Sequence, residues 1–448
     1  MIGEWTRKNV ILPLWGGARG YSETRELKVL EKSQWLTSGE IADLQWERLR
    51  ELLWHSWNNV PYYRQVMESA GVTPDSLADG RSLQQLSTID KATVNQQRAR
   101  LIAGNINPNR HVPNSTSGST GEPLRFLDDR KLISRAQAGA WRGDSWAGAP
   151  VGARQAHLWG SDFDVSAYDG LVGRIRSTIW NRLTLPAWRL SVDTAPEFLT
   201  TLQSYRPRVL VAYSGALYHW ARLLEFRKCT IPGLQGIIAT AETLFDDWRV
   251  KIEETFGVPV FNRYGARDLK MVAQECPEHK GLHITAENLY VEIMNGNQPA
   301  QPGELGEIVI TRLENWVMPF IRYRTGDLGI MSSQVCSCGR GLPLLDRVEG
   351  RVQDGFYTPD GRVITGPFFG RLMRQCPEIV EYQVHQTEIN KLIIKVVTNP
   401  LNSLPSRNKI EEAIREYLGK TISAEFELVD EIPLTKSGKR RFIISHIN

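Results

Sequence analysis

The chain contains no long hydrophobic run, and it has few cysteines. No apolar stretch among its 448 residues approaches the roughly 20 that a membrane helix needs, so we expect no membrane insertion. The first residues hold a short apolar patch that Pro13 interrupts, without the longer apolar core and cleavage site of a signal peptide. Five cysteines, an odd number, do not suit a disulfide scaffold. These absences predict a cytoplasmic protein.

Strong charge is also missing, as are several common catalytic motifs. The formal net charge is +4, and no long basic block occurs, so we expect no nucleic-acid partner, although an anionic nucleotide remains compatible. A glycine-rich loop occurs at residues 115–121, but no Gly-Lys-Ser/Thr follows it, so it is not a Walker A loop. There is no dinucleotide fingerprint and no convincing Ser-His-Asp arrangement. The chemistry must therefore lie in other motifs.

The composition and the order of patterns predict an α/β fold with two domains. The composition, 41% hydrophobic and 23% charged, is that of a globular protein. Residues 1–110 form a helical lead-in, and from about residue 150 short apolar runs alternate with helical segments, which is typical of a parallel sheet with crossover helices. We expect a large N-terminal domain with mixed sheets and helices (1–350) and a smaller α+β C-terminal domain (351–448).

A loop rich in serine, threonine and glycine is the first motif that suggests chemistry. It consists of Ser115, Thr116, Ser117, Gly118, Ser119, Thr120 and Gly121. Glycines allow a close approach of the backbone to a ligand, and hydroxyls and free N–H groups can surround phosphate oxygens. Taken alone, the pattern is equally typical of a flexible surface loop.

Other short motifs follow the loop in a fixed order, at residues 239–243, 264–268, 323–327, 350–351 and 434–441. Together they resemble those of the adenylate-forming superfamily of acyl-CoA synthetases, peptide-synthetase adenylation domains and luciferases. The chain most resembles the short branch of phenylacetate–CoA ligases and CapK-type capsular-polysaccharide proteins. The resemblance spans residues 61–439. It implies ATP-dependent activation of a carboxylic acid as an acyl-AMP, release of pyrophosphate, and acyl transfer to an acceptor.

The resemblance also implies which residues bind ATP. The loop 115–121 matches the family's phosphate loop, and we expect Glu122, where the family often has lysine, to point away from the phosphates because of its charge. The segment with Ala241 and Glu242 matches the stretch that packs on adenine. Tyr264, followed by Gly265, resembles the aromatic residue that stacks on the base. The remaining nucleotide contacts are Asp327, which matches the carboxylate on the ribose hydroxyls, and Arg351, which supports the ribose and phosphate.

Two residues match the catalytic positions of the family. Asp268 stands where the family usually has a glutamate that binds Mg²⁺, and it is one methylene shorter. Lys439 matches the lysine of the mobile C-terminal domain that bridges the substrate carboxylate and the α-phosphate, where a cation must neutralise developing charge. The domain is expected to rotate about a hinge within residues 351–355.

Four cysteine and histidine residues form a candidate zinc site. Cys276 and His279 give one pair of ligands, and Cys336 and Cys338 give the other, with His283 as an alternative to His279. These are ligand types that tetrahedral Zn²⁺ prefers, and four protein ligands leave no open position, so the metal would be structural. The alternative is that they are ordinary loop cysteines.

The acceptor of the acyl group stays open. Residues 355–362 read as a β-hairpin, which resembles the CapK-type branch more than the CoA ligases. CoA, an amine or a carrier-bound group are the candidate acceptors, so an amide-forming ligase is an alternative to a CoA ligase. A degenerate, non-catalytic scaffold of a biosynthetic cluster is the third hypothesis. His157 and Tyr213 follow or end predicted strands and are candidates for the acyl pocket.

Overall fold

The computed structural model describes residues 2–107, 111–116, 123–159, 170–351, 356–359, 363–364, 366–373, 376, 378–398, 407–419, 421–433 and 441–447. The helices are α1 Glu4–Thr6, α2 Leu12–Ala18, α3 Glu23–Ser33, α4 Ser38–Asn59, α5 Pro61–Ser69, α6 Lys91–Gln96, α7 Arg98–Leu101, α8 Arg130–Trp146, α9 Gly170–Trp180, α10 Ala195–Tyr205, α11 Ser214–Leu223, α12 Asp246–Phe256, α13 Gly366–Met373 and α14 Arg407–Leu418. A π-helical segment, Arg7–Ile11, joins α1 to α2, and 3₁₀ turns form at Pro74–Ser76, Gly80–Gln85 and Ala187–Arg189.

The strands are β1 His111–Ser115, β2 Arg125–Asp129, β3 Gln155–Trp159, β4 Arg182–Pro186, β5 Val209–Tyr213, β6 Gly236–Thr240, β7 Val260–Ala266, β8 Lys270–Glu275, β9 Leu282–Ile284, β10 Leu289–Asn295, β11 Gln298–Pro299, β12 Leu305–Arg312, β13 Tyr323–Met331, β14 Leu344–Arg351, β15 Phe356–Tyr357, β16 Val363–Ile364, β17 Ile379–Glu388, β18 Lys391–Thr398, β19 Ser423–Leu428 and β20 Ile443–Ser445.

Helices α1–α7 lie within the predicted helical lead-in, and two of them begin at side-chain caps. Thr37 and Glu40 form a capping box at the start of α4. The Asp90 carboxylate accepts a 2.8 Å hydrogen bond from the backbone N–H of Thr93 and so caps α6. Residues 91–101 form two short helices, α6 and α7, with a break at Gln97.

The largest sheet among the described residues is a mixed sheet of parallel and antiparallel strands. Within the described residues it has twelve strands in the order β11-β10-β12-β13-β14-β9-β8-β7-β6-β5-β3-β4. Strands β4, β3, β5, β6 and β7 run parallel, and β8 then pairs antiparallel with β7. The predicted α/β class is confirmed. Strands β5 and β6 are buried along their whole length, as expected where helices cover both faces of a parallel sheet.

Backbone contacts divide the chain into a larger unit, residues 1–325 and 329–347, and a smaller unit, residues 326–328 and 348–448. The smaller unit contains a four-stranded sheet in the order β19-β18-β17-β20, with its own apolar core that includes Phe369, Val384 and Ile414. The predicted hairpin pairs as β15 with β16. The mobility of this unit stays a prediction. Among the described residues, no helix is long and apolar enough to cross a membrane.

Candidate active site

The neck of the Ser/Thr/Gly loop is the first part of the site. Strands β1 and β2 form an antiparallel hairpin that leads into the loop and out of it. Thr116 and Leu124 close the neck with two hydrogen bonds: the Thr116 N–H donates to the Leu124 carbonyl (3.0 Å), and the Leu124 N–H donates to Thr116 Oγ1 (3.1 Å). Residues 117–122, which include the predicted phosphate contacts Ser117, Gly118, Ser119, Thr120 and Gly121 and the acid Glu122, lie outside the described residues. The structure therefore fixes where the loop begins and ends.

The predicted adenine segment lies at the carboxyl edge of the parallel strands. Ala241 directly follows β6 and has a φ of +68°, a left-handed conformation that non-glycine residues seldom adopt and that recurs at functional sites. Glu242 Oε2 accepts a 2.8 Å hydrogen bond from the backbone N–H of Gly215, in the first turn of α11. The Glu242 side chain thus fastens this segment to a helix N-terminus, where a carboxylate is favoured.

The predicted stacking residue, Tyr264, lies on β7, next to β6 in the sheet. Thr240 of β6 pairs with Arg263 of β7, so the adenine segment and Tyr264 leave the same edge together. The position of Gly265 requires glycine, because a Cβ there would lie 2.5 Å from the Lys270 carbonyl oxygen. A register shift between Tyr264 and Gly265 bends the strand at this point.

The turn between β7 and β8 carries Asp268, the predicted Mg²⁺ ligand. The hydroxyl of Tyr323 donates a 3.1 Å hydrogen bond to Asp268 Oδ2. Tyr323 is itself buried and stacks on Phe320, with ring centroids 5.1 Å apart. A partly exposed carboxylate held at one oxygen suits a hard divalent cation, because Mg²⁺ uses one or two protein carboxylates and otherwise keeps water and phosphate oxygens.

A buried ion cluster behind this turn was not predicted. Asp128 of β2 is fully buried and accepts hydrogen bonds from Lys270 Nζ (2.6 Å), Asn114 Nδ2 (2.9 Å) and Arg312 (3.0 Å). The Arg312 guanidinium lies 4.7 Å from the ring centroid of Phe320 and 5.8 Å from that of Phe126. Burial lowers the pKa of Lys270, and the charge of Asp128 opposes that effect. No local sequence pattern links Asp128, Asn114, Lys270 and Arg312, which lie on four separate strands.

The predicted ribose residues come together in the smaller unit. Asp327, on β13, is 8% exposed, and its Oδ1 lies 3.4 Å from Nε of Arg351 at the end of β14. The carboxylate has two oxygens that can accept hydrogen bonds from two hydroxyl donors. The residues predicted to contact the ribose therefore form an ion pair. The predicted catalytic lysine, Lys439, lies outside the described residues.

An aromatic group occupies one face at the carboxyl ends of β3 and β5. The rings of Trp159 and Tyr213 lie 4.9 Å apart, and His157 lies 5.8 Å from Trp159. Burial, with nearby arginines, holds the pKa of His157 well below its ordinary value, so the imidazole is neutral. Asp144 accepts a 2.8 Å hydrogen bond from Gln155 at the base of the same face. This face is the candidate acyl pocket.

The cysteines meet as predicted, but with a different histidine. Among the described residues, the ligand atoms of Cys276, His283, Cys336 and Cys338 lie within 4.8 Å of one another. His279 is a wrong choice as the fourth ligand, because its Nδ1 hydrogen-bonds Glu275 at 3.1 Å, where Arg249 also pairs with that carboxylate. The reason is geometric: His279 lies in the turn after β8, whereas β9 carries His283 back alongside β8.

The donor set fits a tetrahedral zinc ion. Zn–S bonds of about 2.3 Å in a tetrahedron place two sulfurs about 3.8 Å apart, and Cys276 Sγ lies 3.7 Å from Cys336 Sγ. His283 Nε2 lies 3.3 Å from Cys338 Sγ. Burial lowers the pKa of His283 to about 4, so its imidazole is neutral, as a metal ligand must be.

Comparisons with known proteins bear on the fold and on the predicted family resemblance. Residues 356–446 match the CapK C-terminal domain family. A phenylacetate-coenzyme A ligase of Thermus thermophilus is 26% identical over 445 residues, covering 90% of this chain and 96% of the relative. Protein CapK of Staphylococcus aureus is 22% identical over 413 residues, covering 91% and 90%. A crystal structure of 2-hydroxyisobutyryl-CoA ligase in complex with R3-HIB-AMP superimposes with a TM-score of 0.75 at 18% identity, covering 93% and 92%.

The chain is similar to members of the adenylate-forming superfamily. The predicted resemblance to its phenylacetate–CoA ligase and CapK branch is confirmed. The chain is an ATP-dependent ligase of the adenylate-forming, phenylacetate–CoA ligase-like type. The roles of individual residues stay predictions.

Proposed function

We propose that this adenylate-forming ligase joins a carboxylic acid to AMP with release of pyrophosphate, and then transfers the acyl group to an acceptor. The observation that carries the proposal is the β7–β8 segment. It places the partly exposed Tyr264 and Asp268 four residues apart, beside the carboxyl edge of β6, with Asp268 oriented by Tyr323. A Mg·ATP site needs an aromatic surface for the base and a carboxylate for the cation, and the β7–β8 segment offers both.

The residues divide the work by charge and reach. The acid's carboxylate attacks the α-phosphate, and both are anions, so the reaction needs cations between them. Asp268 would hold Mg²⁺, which supplies electrostatic stabilisation of the phosphates when it is bound. Asp327, backed by Arg351, accepts the ribose hydroxyls and fixes the position of the nucleotide. Lys439, on the mobile C-terminal domain of residues 351–448, provides the remaining positive charge.

The candidate pocket favours an aromatic acid. Trp159 and Tyr213 offer ring faces, and the neutral His157 adds a hydrogen-bonding group without adding a charge. Several relatives are phenylacetate-coenzyme A ligases, which act on an arylacetic acid. A small arylacetic or arylcarboxylic acid is therefore the first class to test.

CoA is the acceptor that the names of the relatives support, because the phenylacetate and 2-hydroxyisobutyrate enzymes are CoA ligases. One observation favours a second acceptor: the C-terminal unit matches the CapK family, and the hairpin β15–β16 follows the predicted hinge, where the second half-reaction takes place. An amine or a carrier-bound nucleophile is the alternative.

The test is acid-dependent exchange of labelled pyrophosphate into ATP across a panel of aryl and aliphatic acids. We expect exchange with at least one aryl acid, followed by product formation when CoA or an amine is added to the best acid. If no acid supports exchange while the protein still binds ATP, the non-catalytic scaffold is the better description.

The first variant to test is Lys439→Ala. It removes the cation between the two reacting anions, so the exchange rate should fall by a factor of about 10³ or more, in the range that loss of one electrostatic donor costs. ATP affinity should change little, because the lysine acts on the transition state. Arg441→Ala, in the same basic cluster, is the matched control and should keep most of the activity.

We also propose a structural Zn²⁺ held by Cys276, His283, Cys336 and Cys338. The spacing of the four donor atoms supports it, and the chain supplies all four ligands, so the ion would clamp loops together and take no part in the chemistry. Metal analysis of protein purified without chelator should give about one Zn²⁺ per chain.

A further inference from the structure

Asp128 joins two parts of the site that are far apart in sequence. It lies on β2, four residues after Leu124, which closes the neck of the loop 115–121. Its two carboxylate oxygens are both occupied: Oδ2 by Lys270 Nζ at 2.6 Å and Oδ1 by the Arg312 guanidinium at 3.0 Å. Buried charges persist only when they are paired and hydrogen-bonded, so this arrangement is held firmly.

Both cations make a second bond, and both of these bonds go to the turn that carries Asp268. Lys270 Nζ donates to the carbonyl oxygen of Arg267 at 2.7 Å, and Arg312 donates to the carbonyl oxygen of Asp268 itself at 2.7 Å. Lys270 adopts a φ of +63°, which brings its side chain back over the turn at a cost in backbone strain. Two adjacent carbonyl groups are thus fastened through Asp128 to the neck of the loop.

We propose that Asp128, Lys270 and Arg312 are positioning residues that fix the Asp268 turn against the neck of the Ser/Thr/Gly loop and so set the spacing of the Mg²⁺ ligand from the triphosphate. The inference rests on the proposed function, because it needs a Mg·ATP complex in this site. None of the three residues touches the nucleotide in this account. They act through the backbone of residues 267 and 268.

The position of the turn matters because the side chain of Asp268 is short. Aspartate has one fewer rotatable bond than glutamate, so its carboxylate follows the backbone closely and cannot compensate for a displaced turn.

The test measures how strongly Mg²⁺ tightens ATP binding, by calorimetric titration of ATP with excess Mg²⁺ and with EDTA. In the wild type we expect Mg²⁺ to raise ATP affinity by roughly 10- to 100-fold, the usual size of coupling between two ligands. In Lys270→Met this enhancement should shrink by about tenfold, while binding of metal-free ATP is unchanged. Lys270→Arg, which keeps a donor for Asp128, should restore part of it.

Arg142→Met is the matched control, because Arg142 forms another buried ion pair, with Glu287 at 2.5 and 3.1 Å, away from the β7–β8 turn. It should lower the melting temperature as much as Lys270→Met but keep the Mg²⁺ enhancement. If Lys270→Met does not fold, Asp128→Asn tests the same connection with the same side-chain shape.

Two outcomes would overturn the inference. If Lys270→Met or Asp128→Asn keeps the full Mg²⁺ enhancement and loses only stability, the cluster is structural and positions nothing. If the wild type itself binds no ATP under either condition, the proposed function fails, and the inference fails with it. The two failures are distinguishable because only the second appears in the unmutated protein.

Discussion

Strand β8 has a polar cluster at each of its two ends, one made of charged residues and the other of cysteines and a histidine. At the start of β8, Lys270 pairs with Asp128 at 2.6 Å, and Asp128 also pairs with Arg312 at 3.0 Å. Immediately after its end, Cys276 joins Cys336, Cys338 and His283. Both clusters tie together segments that are distant in sequence, and both have buried members.

The first cluster pairs its charges with its own side chains, and the second offers four donor atoms to a metal. Each oxygen of Asp128 has a charged partner, which satisfies the electrostatic requirement of burial. Burial raises the pKa of Cys276 to about 12, so without a metal the thiol keeps its proton and contributes only weak hydrogen bonds. The comparison therefore predicts that the thiol cluster depends on an added cation, while the charged cluster depends only on its own side chains.

Removing the metal should have the largest effect on stability. We expect Cys336→Ser, or exhaustive chelation, to lower the free energy of unfolding by more than about 5 kcal/mol, since structural Zn²⁺ contributes roughly 10–16 kcal/mol in small peptides that fold around it. Thermal unfolding with metal analysis measures this. The control is Cys229→Ser, a partly exposed cysteine outside the cluster, which should change little. Equal stability of the two variants would show that no metal clamps this end of β8.

Breaking the charged cluster should have the next largest effect. Arg312→Met leaves Asp128 buried with one cation fewer and should cost about 3–5 kcal/mol, as loss of one partner from a buried pair does. Urea unfolding is the measurement, and chelators should not alter the result. The control is Arg347→Met, because Arg347 pairs with Asp346 on the surface, where such pairs are worth about 0–1 kcal/mol. A cost below 1 kcal/mol for Arg312→Met would contradict the comparison.

Substitution of Asp90, an exposed carboxylate outside both clusters, should have the smallest effect on stability, and that effect should depend on pH. Burial alone would raise the pKa of Asp90, but its hydrogen bonds from Thr93 lower it below the ordinary value of 3.8. A lowered pKa gives stability that is present above the unfolded value and is lost as the pH falls through the folded value. Asp90→Ala should cost about 1 kcal/mol at pH 7, as loss of an N-cap does.

The stability difference between Asp90→Ala and the wild type should narrow as the pH falls below about 4, near the carboxyl pKa of unfolded chains. Urea unfolding at a series of pH values checks this. Asp90→Asn keeps a capping oxygen without the titration, so it should stay near wild type at pH 7. A difference between Asp90→Ala and wild type that does not change with pH would mean that the charge of Asp90 plays no part.

Local features were predictable because neighbours in sequence determine them. The cap at Asp90, the buried parallel strands and the β15–β16 hairpin each follow from patterns within a few residues. The helical pattern of the lead-in does not give every boundary: α6 and α7 are separate helices with a break at Gln97. The predicted adenine and ribose segments come from motifs, each a short run of particular residue types, and their roles stay predictions.

The sequence by itself determined the class of enzyme, the α/β architecture and the residue types of the candidate metal site, because short motifs and periodic patterns carry that information. Only the tertiary structure decided that His283 and not His279 joins the cysteines, and that Asp128, Lys270 and Arg312 meet. The physical reason is that sheet register sets distances between residues that are tens to hundreds of positions apart. The pairing of β8 with β9 selects the histidine, and burial of Asp128 among the strands selects its two cations.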